Sequence, residues 1–503
     1  MMMKIKRYLI LPLLIGLLAG CNDWLDIKSD NVLLQEEIFA DYTGVRMAVN
    51  GVYRDLGVED LYGKNLSWGF MSAIARNYQL TGLPTEMADG AAFKWENSSV
   101  QGVTEKIWAK AYNVIANCNN IIEQVQTKDT SFFRFGEVEK NLVLGEMRGV
   151  RALLHFDLLR LFCPAPATLT DLKVLAIPYV TRYPEHQPER LNMEQVFTSI
   201  IEDMEYAKKT LAPLDTLQFE AWTKKRDHRF YNSVRTGSWD DDFLNFRGER
   251  MNYWGATALL ARVYMWKGDL ENAYKNASDI YRFHTNGWFK WTGAAFQGSL
   301  VAYPEITDTK RWEELLLGFY NSQNLTIFED LISNNANRFR MNEMEKLFKE
   351  DTDDYRYQGF YNRYGDYRYS VWLRPKSQSN AYATYMDAAI KYQGPILPIV
   401  RFTEMYYIMI EYLIEKERIP EAKALFGTLR NQRGVKDPTL PDDPGLLMDK
   451  LVNDMIREGL TEGQTFFMYK RLVRNIFNGD RDIIMEKGDY TPEYPNNEVA
   501  YSM

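Results

Sequence analysis

Apolar residues recur at three- and four-residue spacing over Ile107–Val125, Leu142–Phe162, Val196–Leu211, Tyr253–Trp266, Ala273–Phe283 and Ile399–Ile414, with polar residues between them. That period lays one apolar stripe along each segment and predicts an amphipathic helix over each. Neighbouring helices are joined by short turns: Trp266-Lys267-Gly268-Asp269 ends one, and the next carries Ala273 and Ala277, small enough to admit a neighbour closely. A helix pair of this kind cannot bury its stripe alone and must stack on further pairs, which is the logic of tetratricopeptide repeats. About four pairs fit, over 40–125, 138–212, 250–283 and 399–433, separated by insertions rather than set in tandem. The expected fold is mostly α, with tetratricopeptide-like helix pairs as scaffold and an irregular, loop-rich lobe containing short strands.

The helical period fades between 284 and 398, where aromatic residues, Gly and Asn accumulate. There Tyr367, Tyr369, Val371 and Leu373 alternate with Arg368, Ser370 and Trp372 after Gly365-Asp366, a pattern that predicts one arm of a β-hairpin. Loops are also expected from Thr81 to Phe93 and from Asp215 to Glu249. The chain thus divides into a leader (1–20), a helix-pair region (21–283), an aromatic-rich insertion suited to ligand binding (284–398) and closing helices (399–503). Binding residues tend to sit on loops that a rigid scaffold holds in place.

The leader has Lys4, Lys6 and Arg7 ahead of an apolar run from Tyr8 to Leu18. At about eleven residues, the run is short of the ~20 that a membrane-spanning helix needs, so it reads as a secretion signal. Leu18-Ala19-Gly20-Cys21 has the form of a bacterial lipobox, which makes Cys21 the acylated first residue of the mature protein. Several acyl chains on one residue anchor a protein to a membrane far more firmly than a single chain does.

Charge and rare residues narrow the chemistry. The formal charge of −8 becomes −11 once Lys4, Lys6 and Arg7 are removed, which repels polyanions and excludes nucleic acid as a partner. Neutral or basic ligands suit that balance better. Cys118 and Cys163 lack CxxC spacing and the four histidines are scattered, so no zinc site is expected. Cys118 shares a stripe with Ile107, Ala111, Val114, Ile122 and Val125 and reads as a buried apolar residue, with no disulfide. Asp240-Asp241-Asp242 lacks the glycine and terminal glutamate of an EF-hand loop. No HExxH, GxSxG or Gly-rich phosphate loop is present, so neither an enzyme nor a cofactor is expected. A glycoside hydrolase needs two carboxylates in one cleft, but among 68 acidic residues such pairs arise by chance. With 32 Tyr and 12 Trp, the chain holds more rings than a core needs, and some are expected on display.

Read in order, several segments resemble the RagB/SusD family across nearly the whole mature chain. They are Cys21-Asn22-Asp23-Trp24-Leu25-Asp26; Trp108, Tyr112, Asn117 and Ile121; Gly145-Glu146 through Arg160-Leu161-Phe162; and Ile177-Pro178-Tyr179. Later come Ala261-Arg262, Gly268-Asp269, Asp354-x-Arg356, Lys391-Tyr392, Arg401-Phe402-Thr403-Glu404, Glu462-Gly463-Gln464, Tyr469-Lys470-Arg471 and Tyr494-Pro495. Gly427 and Tyr412 depart from the family pattern. The resemblance implies a SusD-like lipoprotein on the cell-surface side of the outer membrane. Such a protein binds a nutrient, an oligosaccharide above all, and delivers it to a SusC-like TonB-dependent transporter within a polysaccharide utilisation system. Peptide capture, as in RagB-like proteins, a pure scaffolding lipoprotein and a surface glycoside hydrolase are the alternatives.

Sugars present apolar C–H faces and hydroxyl edges, which suit Trp beside planar polar groups. The candidate ligand residues are Trp95 with Glu86, Asp89 and Asn97, then Trp288 and Trp291, and Trp372 on the predicted hairpin. Each ring alone also suits a core. The charges of the shared motifs read as structural: Glu146, Arg148 and Arg151 on one helix, Arg401 with Glu404, and Glu462 with Arg471.

Overall fold

Capping side chains start several of the helices. Asp41, Asn252, Asp269 and Asp443 each accept a hydrogen bond from the backbone N–H three residues on. Asn192 and Gln195 form a reciprocal capping box. Each satisfies a donor that the first turn leaves without an intrahelical partner. The structure, a computed structural model, describes residues 35–230, 241–292, 311–327, 344–356 and 395–496, apart from 219, 325, 355 and 438. Cys21, and the segment Tyr367–Leu373 that carries Trp372, lie outside the described residues.

The helices are α1 (Tyr42–Leu56), α2 (Phe70–Ile74), α3 (Thr85–Ala91), α4 (Ser98–Gln126), α5 (Gly136–Phe162), α6 (Met193–Pro213), α7 (Glu220–Thr223) and α8 (Arg226–Phe230). After them come α9 (Tyr253–Lys267), α10 (Leu270–Thr285), α11 (Phe402–Glu415), α12 (Ile419–Gln432), α13 (Pro444–Gly459) and α14 (Thr465–Leu472). The long ones stack in succession, α1 on α4, α4 on α5, α5 on α6, α6 on α9, α9 on α10, α10 on α11 and α11 on α12. Helix pairs separated in sequence are therefore neighbours in space. Gly268, at φ +88°, turns α9 directly into α10 in a conformation that costs glycine little. Ala273 and Ala277 are fully buried at that seam, as their size predicts. Cys118 is likewise buried within the apolar face of α4. Near the end of the chain, α13 packs on α11, and α14 packs back on α2.

The described residues also form three short antiparallel sheets: β1 (Leu175–Pro178) with β2 (Arg190–Asn192), β3 (Leu315–Tyr320) with β4 (Ile396–Arg401), and β5 (Ile476–Phe477) with β6 (Asp482–Ile483). The β3–β4 pair corrects one expectation: Ile399–Arg401 belongs to a strand, and the helix begins only at Phe402. A short apolar run such as Ile396-Leu397-Pro398-Ile399-Val400 fits either form, and its pairing with buried Leu315–Phe319 decides for the strand. Both ends of the 284–398 insertion are thus built into the scaffold. Likewise, Thr81–Phe93 is not wholly loop, because α3 occupies Thr85–Ala91.

Candidate functional site

The motif charges go to holding elements together. Glu146 on α5 accepts from Arg247, Arg250 and the Tyr53 hydroxyl, while Arg247 also grips Asp215. Arg151 forks onto Asp203 of α6 at 2.7 and 2.8 Å, and the Arg148 guanidinium lies 3.9 Å from the Tyr206 ring centre. Asp241 takes Arg46 and Arg134. These side chains reach across elements instead of pairing along one helix. The pairs expected later in the chain are exchanged: Arg401 binds Glu462, Glu404 binds Arg262, and Arg471 binds Glu411, each at 2.6 Å. Arg401 ends β4 in extended conformation, so helical spacing does not bring it to Glu404. These three pairs line a cavity of about 130 Å³ between α9, the β4–α11 junction and α13–α14. Each carboxylate of these three pairs is held by an arginine.

The candidate ligand residues part company. Trp95 and Trp288 are each 7% exposed. Trp95 donates its indole N–H to the Gly488 carbonyl at 3.2 Å, and Trp288 packs among Trp254 and Phe283. Both rings are enclosed by the core. Asp89 accepts from Ser99 at 2.9 Å, and hydrogen bonds from Asn97 and Ser99 hold its carboxyl below the usual carboxylate range. These contacts tie α3 to the start of α4. Glu86 lies half-buried in the first turn of α3. Among the described residues, no ring contact joins Trp95 to Trp288 or Trp291.

Trp291 stands differently, half-buried at the edge of an aromatic seam. Its ring centre lies 4.6 Å from Phe402, 5.2 Å from Tyr406 and 5.4 Å from His284, with the Arg433 guanidinium 5.2 Å away. His284 stacks on Phe402 at 4.4 Å, and burial lowers its pKa, which favours the neutral ring. Along α10, Tyr281 meets Tyr406 at 5.4 Å, and Tyr274 meets Tyr412 at 4.3 Å. Tyr274, Tyr281, His284 and Trp291 are half-buried, whereas Phe402, Tyr406 and Tyr412 of α11 form the buried backing. Tyr274 and Tyr281 are seven apart, two turns along one helix face and about 10 Å from each other. Tyr412, a departure from the family pattern, supports Tyr274 here and donates to Glu271 at 2.8 Å. Only Trp291 of this row was legible as a candidate; the seven-residue recurrence of tyrosine beside the alanine stripe was the signal for the rest. Such a row can stack a flat apolar ligand face and offer hydroxyls at its rim.

The helix pairs thus form a continuous stack with half-buried rings along one seam. Residues 23–223 match a family model, SusD-like_3, described as "Starch-binding associating with outer membrane". Among curated proteins, it resembles SusD-like protein P2 of Formosa agariphila, with 24% identity over 282 residues that make up 55% of this chain and 46% of that protein. SusD-like protein P25 of the same organism is 23% identical over 231 residues, 42% of this chain and 38% of that protein. The matched segments span less than half of either relative. The fold extends further. A SusD superfamily protein of Bacteroides thetaiotaomicron superposes with TM-score 0.63 at 19% identity, covering 92% of this chain and 98% of that one. A putative sugar binding protein of Bacteroides vulgatus does so with TM-score 0.61 at 16% identity, covering 92% and 96%.

Proposed function

We propose that this protein is a lipid-anchored protein of the outer-membrane surface that captures an oligosaccharide and passes it, uncleaved, to a SusC-like TonB-dependent transporter. The observation that carries this reading is the match of residues 23–223 to a family described as starch-binding and associating with the outer membrane. The half-buried row of Tyr274, Tyr281 and Trp291 supports it, since stacked rings bind sugar faces and tolerate variation without disturbing the helix pairs. Cys21, after the lipobox-like Leu18-Ala19-Gly20, supplies the anchor. The carboxylates spent on arginines support binding without bond cleavage.

Titration calorimetry with an oligosaccharide panel tests the aromatic row. Trp291→Ala or Tyr281→Ala should weaken the binding of a bound sugar by roughly thirtyfold, on the order of 2 kcal/mol, with a smaller drop in melting temperature than Trp95→Ala or Trp288→Ala causes. Trp95→Ala and Trp288→Ala, which empty core positions, should instead destabilise the fold by about 3–5 kcal/mol. Full affinity in both row variants would move the ligand site elsewhere.

A further inference from the structure

On a face of α13 next to the one that lines the arginine-paired cavity lies an open groove of about 720 Å³, between α13, the 346–347 turn and the segment that ends in the β5–β6 hairpin. That volume is within the range of small-ligand sites, about 300–1,000 Å³. Its polar lining includes Asn453, Arg474, Asn475, Arg481 and Asp482 beside Lys346, Asp449 and Tyr469, and Phe477 contributes a half-buried ring. The hairpin is pinned: Asn478 Oδ1 accepts from the N–H groups of both Asp480 and Arg481 at 2.9 Å, and Gly479 takes φ +91°. This presents Arg481 and Asp482 side by side at the rim. Asn453, Arg481 and Asp482 are exposed, and their side chains make no hydrogen bond within the described residues. The Asn475 amide N–H₂ is also open, since only its oxygen is engaged, by Met485 N–H at 3.1 Å.

The charges around the groove alternate in sign. Arg474 is bound to Asp449, Lys346 to Asp480, and Arg481 stands beside Asp482. A surface with this pattern has little net field, so it favours neither an anion nor a cation. It does offer closely spaced planar donors and acceptors around an apolar ring, which is the complement of a neutral polyhydroxylated chain. We propose that this groove is a second glycan subsite, holding a neutral stretch of oligosaccharide with Asn453, Asn475, Arg481 and Asp482 on its hydroxyls and Phe477 against a sugar face. The inference rests on the glycan-capture reading but names a place distinct from the α10–α11 seam.

The test is hydrogen exchange and calorimetry on the mature protein, with maltoheptaose, cellohexaose, xylohexaose and mannohexaose as probes. For a probe that binds, amides of residues 449–456 and 474–483 should exchange more slowly. Arg481→Ala/Asp482→Ala should lose at least about fivefold in affinity, with an unchanged melting temperature. If that variant unfolds, the wild-type exchange pattern alone decides. Binding without slowed exchange at 474–483 overturns the groove and leaves capture at the seam standing. Failure of all four probes to bind the wild type overturns both readings for neutral glycans.

Discussion

Lys470 buries its ammonium group beneath the C-terminal end of α5, donating to the Leu161 carbonyl at 3.0 Å. That helix end favours a cation, but the desolvation of a fully enclosed lysine outweighs it and, with Arg160 nearby, pushes the pKa down from 10.5 to about 7. Between those values the unfolded chain carries a proton that the folded protein lacks. Stability therefore rises with pH from about 7 to 10, and this gain is absent below 7. The buried Cys163 thiol is pushed up by desolvation and acts in the opposite sense at alkaline pH, so the comparison must be between variants. Lys470→Met should remove a pH-dependent difference on the order of 4 kcal/mol, read from urea midpoints at pH 7 and 10. Parallel pH profiles for the two proteins would contradict the assignment. Sequence marked Tyr469-Lys470-Arg471 as a block, yet Arg471 pairs with Glu411 and Lys470 lies under α5. Motif membership does not reveal which side chain points inward. The same holds for Trp95, Trp288 and Trp291, alike as residues beside loops but separated by what packs over each ring.

Single elements were legible when their period was long. The spans of α6, α9 and α10 follow the spacing of their apolar residues to within about three positions, whereas α4 and α5 begin well before theirs, at Ser98 and Gly136. What local pattern could not supply was long-range pairing, which turned Ile396–Arg401 into a strand and sent motif charges to distant partners. Asp354 and Arg356 illustrate this. Visible as a short motif, they belong to a buried network in which Arg356 binds Asp354 at 2.7 Å, Asp454 at 2.9 Å and Glu458 at 3.1 Å. Arg433 joins the same Glu458 to Glu314, and Tyr407 donates to Asp454 at 2.6 Å. The network fastens residues 351–356 and the α12 end to α13. Removing the cation strands carboxylates in the core, so Arg356→Met should lower the unfolding free energy by about 3–5 kcal/mol in chemical denaturation. A loss under about 1 kcal/mol would mean that the network is open to water.

At the scale of the whole molecule, interleaving decides the architecture. Because α14 returns to α2 and β3 within the insertion pairs with β4 at its end, the helix pairs and most described apolar residues of the insertion share one core, beside a small cluster of Phe230, Trp312, Leu315 and Ile396. A scaffold of that kind holds a binding surface in place, and its central proposed task is to retain a glycan without altering it. Affinity electrophoresis of the mature protein through gels containing single neutral polysaccharides tests this most directly. Slowed migration is expected in at least one gel, reversed by the matching soluble oligosaccharide, with the polymer recovered at its original length. Unchanged migration in every gel, or a shortened polymer in the gel that retards the protein, would contradict it.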